Sequence, residues 1–273
     1  GMQYPDGDII GRFGSTGTNL GYDQAGRLSS IPGILTSLTY NALGAPLVQT
    51  NTNGTTTTKT YDANRFWLKT IGTSTPSLTL QNLSYTLNDA GMATEVTSPF
   101  GTEGWTYGYD ELNRMTSSTN TGAPANNQTW TYDSLGRITN NSRIGNYTYG
   151  SSRPHAVTAA GSNSYTAYDG NGNLEVGGGR ALSWNADNLI TQVVMGGATT
   201  TFNYGPDGDR IKKTAGATVA KYPFGDDYEI NGSTVTKYFN AGFGVIAKKV
   251  GTTKYWLHTD RMGSINATTD STG

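Results

Sequence analysis

Apolar and polar residues alternate strictly along much of the chain. Trp105, Tyr107 and Tyr109 fall on one side of such a stretch, with Thr106 and Gly108 on the other. A period of two with aromatic and β-branched residues indicates half-buried β-strands. The alternation recurs at Trp130/Tyr132, Tyr147/Tyr149 and Phe202/Tyr204. No long stretch has the spacing of an amphipathic helix, so the pattern predicts an all-β fold.

A seven-residue word follows these strands and returns along the chain. The clear copies are YDQAGRL at Tyr22, YNALGAP at Tyr40, YDELNRM at Tyr109, YDSLGRI at Tyr132, YDGNGNL at Tyr168, WNADNLI at Trp184 and YGPDGDR at Tyr204. Degraded copies start at Tyr61, Leu87 and Tyr149. Successive starts lie between 16 and 26 residues apart. A period near this length is typical of one small unit copied into a repeat architecture.

The middle of the word predicts a tight turn. Asp opens it, and Gly or Asn closes it, which favours a type I turn followed by a left-handed residue in a three-residue hairpin loop with a G1 bulge. This loop sets the register of the two strands. Tyr22 should face Leu28 on one face of the hairpin, and Asp23 should pair with Arg27 on the other. Asn113 and Asn188 replace the glycine, since Asn tolerates the left-handed conformation best after Gly.

The positions predicted to be structural are those that spell the word. They are Tyr22, Asp23, Gly26, Arg27, Leu28, Tyr109, Asp110, Arg114, Tyr132, Asp133, Gly136, Arg137, Tyr168, Asp169, Gly172, Trp184, Tyr204 and Gly208. Each cross-strand pair contributes about 0.2–1 kcal/mol, and exposed ion pairs fall toward the low end of that range. The Asp–Arg pairs should therefore specify register more than they stabilise the hairpins.

The composition fits an ordered sheet with little interior. Leu, Ile, Val and Phe together supply only 46 of the 273 residues, a level that usually indicates disorder. A net charge of −1 and 17 tyrosines argue against disorder, which needs high net charge and few aromatic residues. Rows of aromatic side chains should then do the packing that an aliphatic core does elsewhere.

Charge and sequence also exclude several classes of function. A pI near 6.1 gives no electrostatic footprint for nucleic acid. No apolar run approaches the length of a membrane-spanning helix. The absence of cysteine excludes a disulfide framework and cysteine-based metal or redox sites. Gly1-Met2 is typical of an expression scar, and no signal peptide is evident.

The whole chain, 1–273, is predicted to form one structural unit. Residues 1–20 form a Gly/Thr-rich lead-in with a broken copy of the word at Tyr4, and 22–215 form the repeat array. From 216 to 273 the strands continue, but the word is spelled differently. The stretches 51–58 and 120–127 are interpreted as longer hairpin loops.

These residues resemble the RHS/YD-repeat family. The YDxxGRL words carry the first part of the resemblance. The second part runs from the word at Tyr168 to YWLHTDRMGSINATTDSTG at Tyr255, which is similar to the RHS core-associated segment. Arg261 stands where that segment usually has His, and Asn266 where it usually has Arg. The resemblance covers about nine-tenths of the chain.

The resemblance implies a fold, partners and a location. Members of the family join antiparallel β-hairpin repeats into one long curved or spiralling sheet, which forms a hollow shell. They are large secreted or cell-surface proteins: polymorphic toxins, insecticidal toxin-complex subunits and teneurins. In the toxins the shell encloses a C-terminal effector. The expected function is therefore a non-catalytic part of such a shell, and the expected partners are an effector polypeptide and the remaining shell of the same protein. The chain contains no Asp-Pro, so the family's aspartyl self-cleavage is not carried over.

Two polar clusters invite a chemical interpretation. His258 could act as a base oriented by Asp260, but no nucleophile accompanies them, and the segment is better explained as sheet and turn. Asp169 opens a stretch similar to a calcium loop, yet Leu174 and Arg180 occupy the positions that need Gly and Glu. No catalytic, metal or cofactor residue is therefore assigned, and the chain is expected not to be an enzyme.

A carbohydrate-binding surface is the alternative function. Flat aromatic rings beside Asn, Asp and Thr can stack on sugars, and the candidates are Trp105, Tyr107, Trp130 and Tyr147. Cell-surface glycans would then be partners. The competing interpretation is that these rings pack within the protein. The unpaired edges of a shell fragment also predict edge-to-edge self-association.

Overall fold

The computed structural model describes residues 12–13 and 18–273, which leaves most of the lead-in and the copy of the word at Tyr4 outside the described residues. Its regular secondary structure is almost entirely β-strand, which covers 55% of the chain. The first fifteen are β1 (Arg12–Phe13), β2 (Thr18–Asn19), β3 (Gly21–Tyr22), β4 (Leu28–Ser30), β5 (Leu35–Tyr40), β6 (Pro46–Asn51), β7 (Thr56–Tyr61), β8 (Leu68–Ser74), β9 (Thr79–Leu87), β10 (Ala93–Thr97), β11 (Trp105–Tyr109), β12 (Met115–Thr119), β13 (Gln128–Tyr132), β14 (Ile138–Asn141) and β15 (Gly145–Tyr149).

Fourteen more strands follow in the described chain. They are β16 (Val157–Ala160), β17 (Asn163–Tyr168), β18 (Leu174–Gly177), β19 (Arg180–Trp184), β20 (Ile190–Met195), β21 (Ala198–Tyr204), β22 (Arg210–Ala215), β23 (Thr218–Lys221), β24 (Pro223–Asp226), β25 (Tyr228–Asn231), β26 (Thr234–Asn240), β27 (Val245–Val250), β28 (Thr253–Thr259) and β29 (Ile265–Thr269). One turn of 3₁₀ helix, Pro124–Asn126, lies between β12 and β13.

Most strands pair antiparallel with the next strand in chain order, and β23 pairs with β25. Strands β5–β23 and β25–β29 belong to one sheet of 24 strands, while β1–β2 and β3–β4 are separate hairpins. The prediction of an all-β fold of antiparallel hairpin repeats is confirmed.

One predicted hairpin loop is shorter than expected. The loop of 51–58 is present only at 52–55, because β6 ends at Asn51 and β7 begins at Thr56. The Asn53-Gly54 dipeptide forms the turn, and the threonines that follow it enter the strand because threonine has a high β-propensity. The loop of 120–127 is present and contains the 3₁₀ turn.

The strands group into two compact units. The first joins the chain up to Trp105 to Lys237–Gly273, and the second is Thr106–Thr236. The prediction of one structural unit over 1–273 stays a prediction.

The first unit holds an apolar core made from both ends of the chain. Its buried members are Ile31, Ile34, Leu35, Leu38, Phe239, Ala241, Ile246, Ala247 and Trp256. Polar contacts join the same segments: the Trp256 indole Nε1–H donates to the Ile34 carbonyl over 2.8 Å, and Asn53 Nδ2 donates to Thr269 Oγ1 over 2.9 Å. The strands after Lys237 are therefore packed and hydrogen-bonded against the first repeats.

The second unit packs rings over small side chains. Tyr107 lies opposite Ser118, and Tyr147 lies opposite Ala160 in the neighbouring hairpins. Ser118 and Ala160 are buried, whereas the rings are half-buried. Gly177 shows how tight this contact is, since a Cβ there would lie 2.5 Å from Cδ1 of Tyr165. Aromatic residues on one strand of a hairpin thus cover small residues on the other.

Candidate functional site

The repeated word forms the turn that its spelling predicts. The Asp23 amide donates to the Arg27 carbonyl over 2.8 Å, and the Gly26 amide donates back to the Asp23 carbonyl over 3.0 Å. Asp23 Oδ1 accepts the amides of Ala25 and Arg27, both at 2.9 Å. Tyr22 lies opposite Leu28, with a register shift that marks the bulge.

The residue that closes the turn is left-handed in clear and altered copies alike. The φ angles are 75° at Gly26, 80° at Gly136, 92° at Gly172, 85° at Gly208, 63° at Asn113 and 60° at Asn188. The predicted register is also confirmed for Tyr109–Met115, Tyr132–Ile138, Tyr168–Leu174, Trp184–Ile190 and Tyr204–Arg210. The turn chemistry that the sequence predicts is therefore correct in these copies.

The predicted Asp–Arg pairs are formed in the three copies that spell them. Carboxylate–guanidinium distances are 2.7 Å for Asp23–Arg27, 2.7 Å for Asp110–Arg114 and 2.6 Å for Asp133–Arg137. The pKa of Asp110 is lowered, mainly by the hydrogen bond from the Arg114 backbone amide; desolvation opposes this, and the Arg114 guanidinium lowers the pKa further. Each carboxylate therefore supports its own turn and orients an arginine.

The orientation of that arginine shows a contact that the sequence did not indicate. The Arg114 guanidinium carbon lies 4.4 Å from the ring centroid of Tyr132, the first residue of the next copy. The Tyr132 hydroxyl in turn donates to the carbonyl of Met115, the last residue of the preceding copy, over 2.7 Å. We call Asp110, Arg114, Met115 and Tyr132, with their equivalents in other copies, the repeat lock.

The repeat lock recurs along the chain. Hydroxyl-to-carbonyl bonds run from Tyr40 to Leu28, Tyr61 to Pro46, Tyr149 to Ile138, Tyr168 to Val157 and Tyr204 to Ile190, and Trp184 uses its Nε1–H to reach Leu174. Arg27 lies over Tyr40 and Arg137 over Tyr149, each at 4.6 Å. The first residue of the word thus donates to a backbone carbonyl at or just after the end of the preceding copy, which explains why it stays an aromatic residue with a hydrogen-bond donor.

Asp169 shows the turn rather than a calcium loop. Its Oδ1 accepts the amides of Asn171 and Asn173, and its Oδ2 accepts Asn173 Nδ2 over 3.0 Å. Asn188 Oδ1 receives Asn171 Nδ2 and Asn173 Nδ2 from that copy. An amide network thus replaces the arginine of the repeat lock here.

A further copy of the word, missed in the sequence, lies at 259–265. Thr259 pairs with Ile265, the Asp260 amide bonds the Ser264 carbonyl, and Gly263 has a φ of 85°. The spelling D-x-x-G was the available signal, but threonine stands in place of tyrosine. The word is spelled differently after 216, but this hairpin keeps its turn.

The two departures from the core-associated segment both make contacts in the first unit. The Arg261 guanidinium donates to the Gly91 carbonyl over 3.0 Å, and its amide donates to the Tyr85 hydroxyl. Asn266 Nδ2 donates to Glu103 Oε1 over 3.3 Å. These residues therefore connect the last hairpin to strands near β9 and β10.

His258 is buried, and Asp260 does not orient it. The Asp260 carboxylate accepts the amides of Met262 and Ser264 in its own turn. His258 Nε2 lies 3.1 Å from Thr269 Oγ1, and burial lowers the pKa of the imidazole to about 4. The geometry supports the interpretation of this segment as sheet and turn, not as a base and its partner.

The candidate glycan-binding rings are half-buried. Trp130 lies opposite buried Asn141, and the pairing places Tyr147 on the same face of the sheet. Tyr107 covers Ser118 in the same unit, while Trp105 falls at the end of a segment of the other unit. The rings pack on small neighbours and keep part of their surface accessible. Glycan binding at Trp105, Tyr107, Trp130 and Tyr147 stays a prediction.

Fold and repeat lock together define a class, the β-hairpin repeat proteins. Residues 88–125 match the family model described as RHS Repeat. Over these residues the chain is similar to the RHS-repeat family.

Curated relatives match part of the chain. It is 31% identical over 118 residues to tRNA nuclease WapA of Bacillus subtilis (strain 168), which is 39% of this chain and 5% of that protein. It is 30% identical, with the same coverage, to tRNA3(Ser)-specific nuclease WapA of Bacillus spizizenii. The chain therefore spans about a twentieth of these relatives.

Solved structures match almost the whole chain. The TcdB2–TccC3 crystal structure superposes with a TM-score of 0.76 at 21% identity, covering 93% of this chain and 17% of that one. The Photorhabdus luminescens Tc holotoxin pore gives a TM-score of 0.76 at 20% identity, covering 93% and 16%. These likenesses show that the fold is shared. Among the described residues no helix is long and apolar enough to span a membrane.

Asp110→Asn is expected to keep its hairpin at neutral pH and to weaken its response to acid. Asn41 supports the same turn, since its Oδ1 accepts the amides of Leu43 and Ala45. The pKa of Asp110 is lowered on folding, so the stability from its carboxylate is present above the unfolded pKa and is lost as the pH falls through the folded pKa. The wild-type chain should thus lose stability below about pH 4, and the variant should lose less.

Urea unfolding of both proteins across this pH range measures the difference. Asp110→Ala is the control, because it removes the turn acceptor and should destabilise the hairpin at every pH. If the stability of the wild type and of Asp110→Asn changed with pH in parallel, the Asp110 carboxylate would not contribute to the acid sensitivity of the hairpin.

Proposed function

We propose that the chain is a non-catalytic structural module of an RHS-repeat β-shell that encloses or presents a C-terminal effector polypeptide. The shell would belong to a large secreted or cell-surface protein. The repeat lock supports this most directly, because the residues that recur in the word are used to join one hairpin to the next. An enzyme would instead need its recurring polar residues free to face a substrate.

The arrangement of the first unit agrees with such a role. The C-terminal strands bury Trp256 and Phe239 against Ile34 and Leu38 from the first repeats. A wall made in this way resists opening from its ends, since strands distant in sequence hold each other. TccC3 and WapA are named as a toxin-complex component and as nucleases, and an effector or toxic partner comes to this chain only as part of the proposal.

Limited proteolysis of the natural polypeptide that contains this chain tests the proposal. Polypeptide following the shell should be protected in the intact protein and cut rapidly after Arg114→Ala and Arg137→Ala open two repeat locks. Lys212→Ala and Lys213→Ala form the matched control, since they remove two exposed cations of β22. Equal cutting of the following polypeptide in wild type and lock variants would refute enclosure.

Glycan binding is the second candidate function. Trp130 and Tyr147 share a face and retain accessible surface, with Asn141 between them. A glycan array without hits, together with tryptophan fluorescence that is insensitive to oligosaccharides, would remove this candidate. Edge-to-edge self-association also stays a prediction, which sedimentation across a concentration range can test.

A further inference from the structure

The first unit encloses a cavity of about 240 Å³ between the strands of its two chain segments. Its polar lining comes from Gln49 on β6, Thr57 and Lys59 on β7, and His258 on β28. Ile246 and Leu257 contribute buried apolar surface. Repeat architecture does not require this mixture, because a wall packed only for stability would fill the space with apolar side chains.

Lys59 brings an uncompensated cation to the cavity. Among the described residues no carboxylate lies within ion-pair distance of its Nζ, and no hydrogen bond to that atom is formed. The Nζ lies 5.3 Å from the ring centroid of Phe243, so a cation–π contact compensates this half-buried charge only in part. Burial lowers the pKa of Lys59. A bound anion would offset the cost of holding this charge away from water.

His258 brings a second unpaired polar atom. Its Nδ1 is buried and has no hydrogen-bond partner within the part of the chain that the structure describes. Thr269 Oγ1 accepts Asn53 Nδ2 over 2.9 Å and lies 3.1 Å from His258 Nε2. A threonine hydroxyl has one proton and two lone pairs, so Thr269 can either donate to Nε2 or accept from it. In the tautomer in which Thr269 donates to Nε2, the ring proton resides on Nδ1, which is then a buried N–H without an acceptor.

We propose that this cavity binds a small organic monocarboxylate, whose carboxylate accepts hydrogen bonds from Lys59 and from His258 Nδ1–H and whose carbon chain lies against Ile246 and Leu257. A carboxylate is an acceptor only, which matches a site that offers donors. The apolar wall favours an organic acid over inorganic phosphate or chloride. The site does not depend on whether the chain encloses an effector.

Titration of the wild-type chain with acetate, butyrate and benzoate tests the site. Calorimetry at constant ionic strength, with sodium chloride as the reference salt, should show saturable binding of the acids and none of chloride. Butyrate should bind more tightly than acetate, by about fourfold for each methylene that becomes buried. The ¹⁵N signal of His258 Nδ1 should show an attached proton and should move during the same titration.

Two variants assign the donors. Lys59→Met should weaken binding by about tenfold or more, since a charged hydrogen bond is lost. Lys69→Met is the matched control: Lys69 is exposed on the neighbouring strand β8 and outside the cavity, so binding should not change. His258→Asn keeps an N–H near the Nδ1 position and should bind better than His258→Leu.

Three results would each overturn the proposal. They are no saturable binding of the three acids by the wild type, unchanged affinity in Lys59→Met, or a His258 signal with the proton on Nε2. The wild-type measurements decide the matter even if a His258 variant does not fold.

Discussion

Gly161→Ala is expected to destabilise the second unit by about 3 kcal/mol or more, because it adds a steric clash with backbone to a left-handed conformation. Gly161 has a φ of 56° in the turn between β16 and β17. A Cβ at this position would lie 1.8 Å from the carbonyl oxygen of Ile144. No side-chain rotation can relieve this clash, so one of the two turns must move. Its amide bond to the Asn146 carbonyl, 2.9 Å long, would be strained or lost.

Gly216→Ala separates the clash from the effect of conformation. Gly216 occupies the same position in the turn between β22 and β23, with a φ of 57°, and an added Cβ would meet nothing within 4 Å. Its cost should be about 1–2 kcal/mol, the penalty for a left-handed L-residue. Urea unfolding followed by circular dichroism measures both variants. Equal losses of stability would show that the contact with Ile144 does not restrain the fold.

The sensitivity of Gly161 could not be predicted from the sequence. The word at Tyr149 indicates a hairpin near this residue, and Gly161-Ser162 is a sensible turn. The contact arises from a different hairpin, whose turn at Gly145 would place a Cβ 3.1 Å from Gly161 Cα. Local spelling determines the turn type, but only the packing of neighbouring repeats brings two turns into backbone contact.

Local features were predictable because each is contained in one copy of the word. Asp23, Gly26 and Arg27 lie within five residues, and turn chemistry alone defines their hydrogen bonds and the ion pair. Asn113 could be assigned a positive φ for the same reason. At Phe66 this reasoning did not suffice: its φ is 56° because the turn that Asp62 opens is one residue longer and closes on Trp67.

Features that connect copies were not predictable. The pairing of Tyr132 with Met115 joins residues of consecutive words, and the sequence shows only that both are large. The word at Asp260 was hidden because Thr259 replaces the expected aromatic residue. The contact of Trp256 with Ile34 crosses most of the chain, and no local pattern carries such information. Repeats therefore reveal their unit in the sequence, while the junctions between units require coordinates.

Trp256→Ala is expected to cost about 3–5 kcal/mol and to unfold the first unit selectively. Trp256 is 2% exposed and belongs to the core that joins the last strands to the first repeats. Removing the ring leaves a cavity among Ile34, Leu38 and Phe239 that a sheet cannot close by a small shift. Hydrogen exchange should show lost protection in β5 and β28, while β13 and β19 of the second unit keep theirs.

Two control variants separate the loss of core packing from the loss of the indole hydrogen bond and from the general effect of removing a tryptophan. Trp256→Phe removes the indole hydrogen bond, for which about 0.5–1.5 kcal/mol should be lost, and a smaller part of the packing than Trp256→Ala, so its total cost should be the lower of the two. The Ile34 carbonyl keeps the amide of Thr52 as a donor at 3.0 Å, which makes a larger loss unnecessary. Trp184→Ala removes an equivalent ring and Nε1–H bond from a half-buried site in the second unit. Trp184→Ala should lower the free energy of unfolding less than Trp256→Ala does, and it should reduce protection in the second unit. If Trp256→Ala weakened protection evenly in both units, the ends of the chain would not be what holds the first unit together.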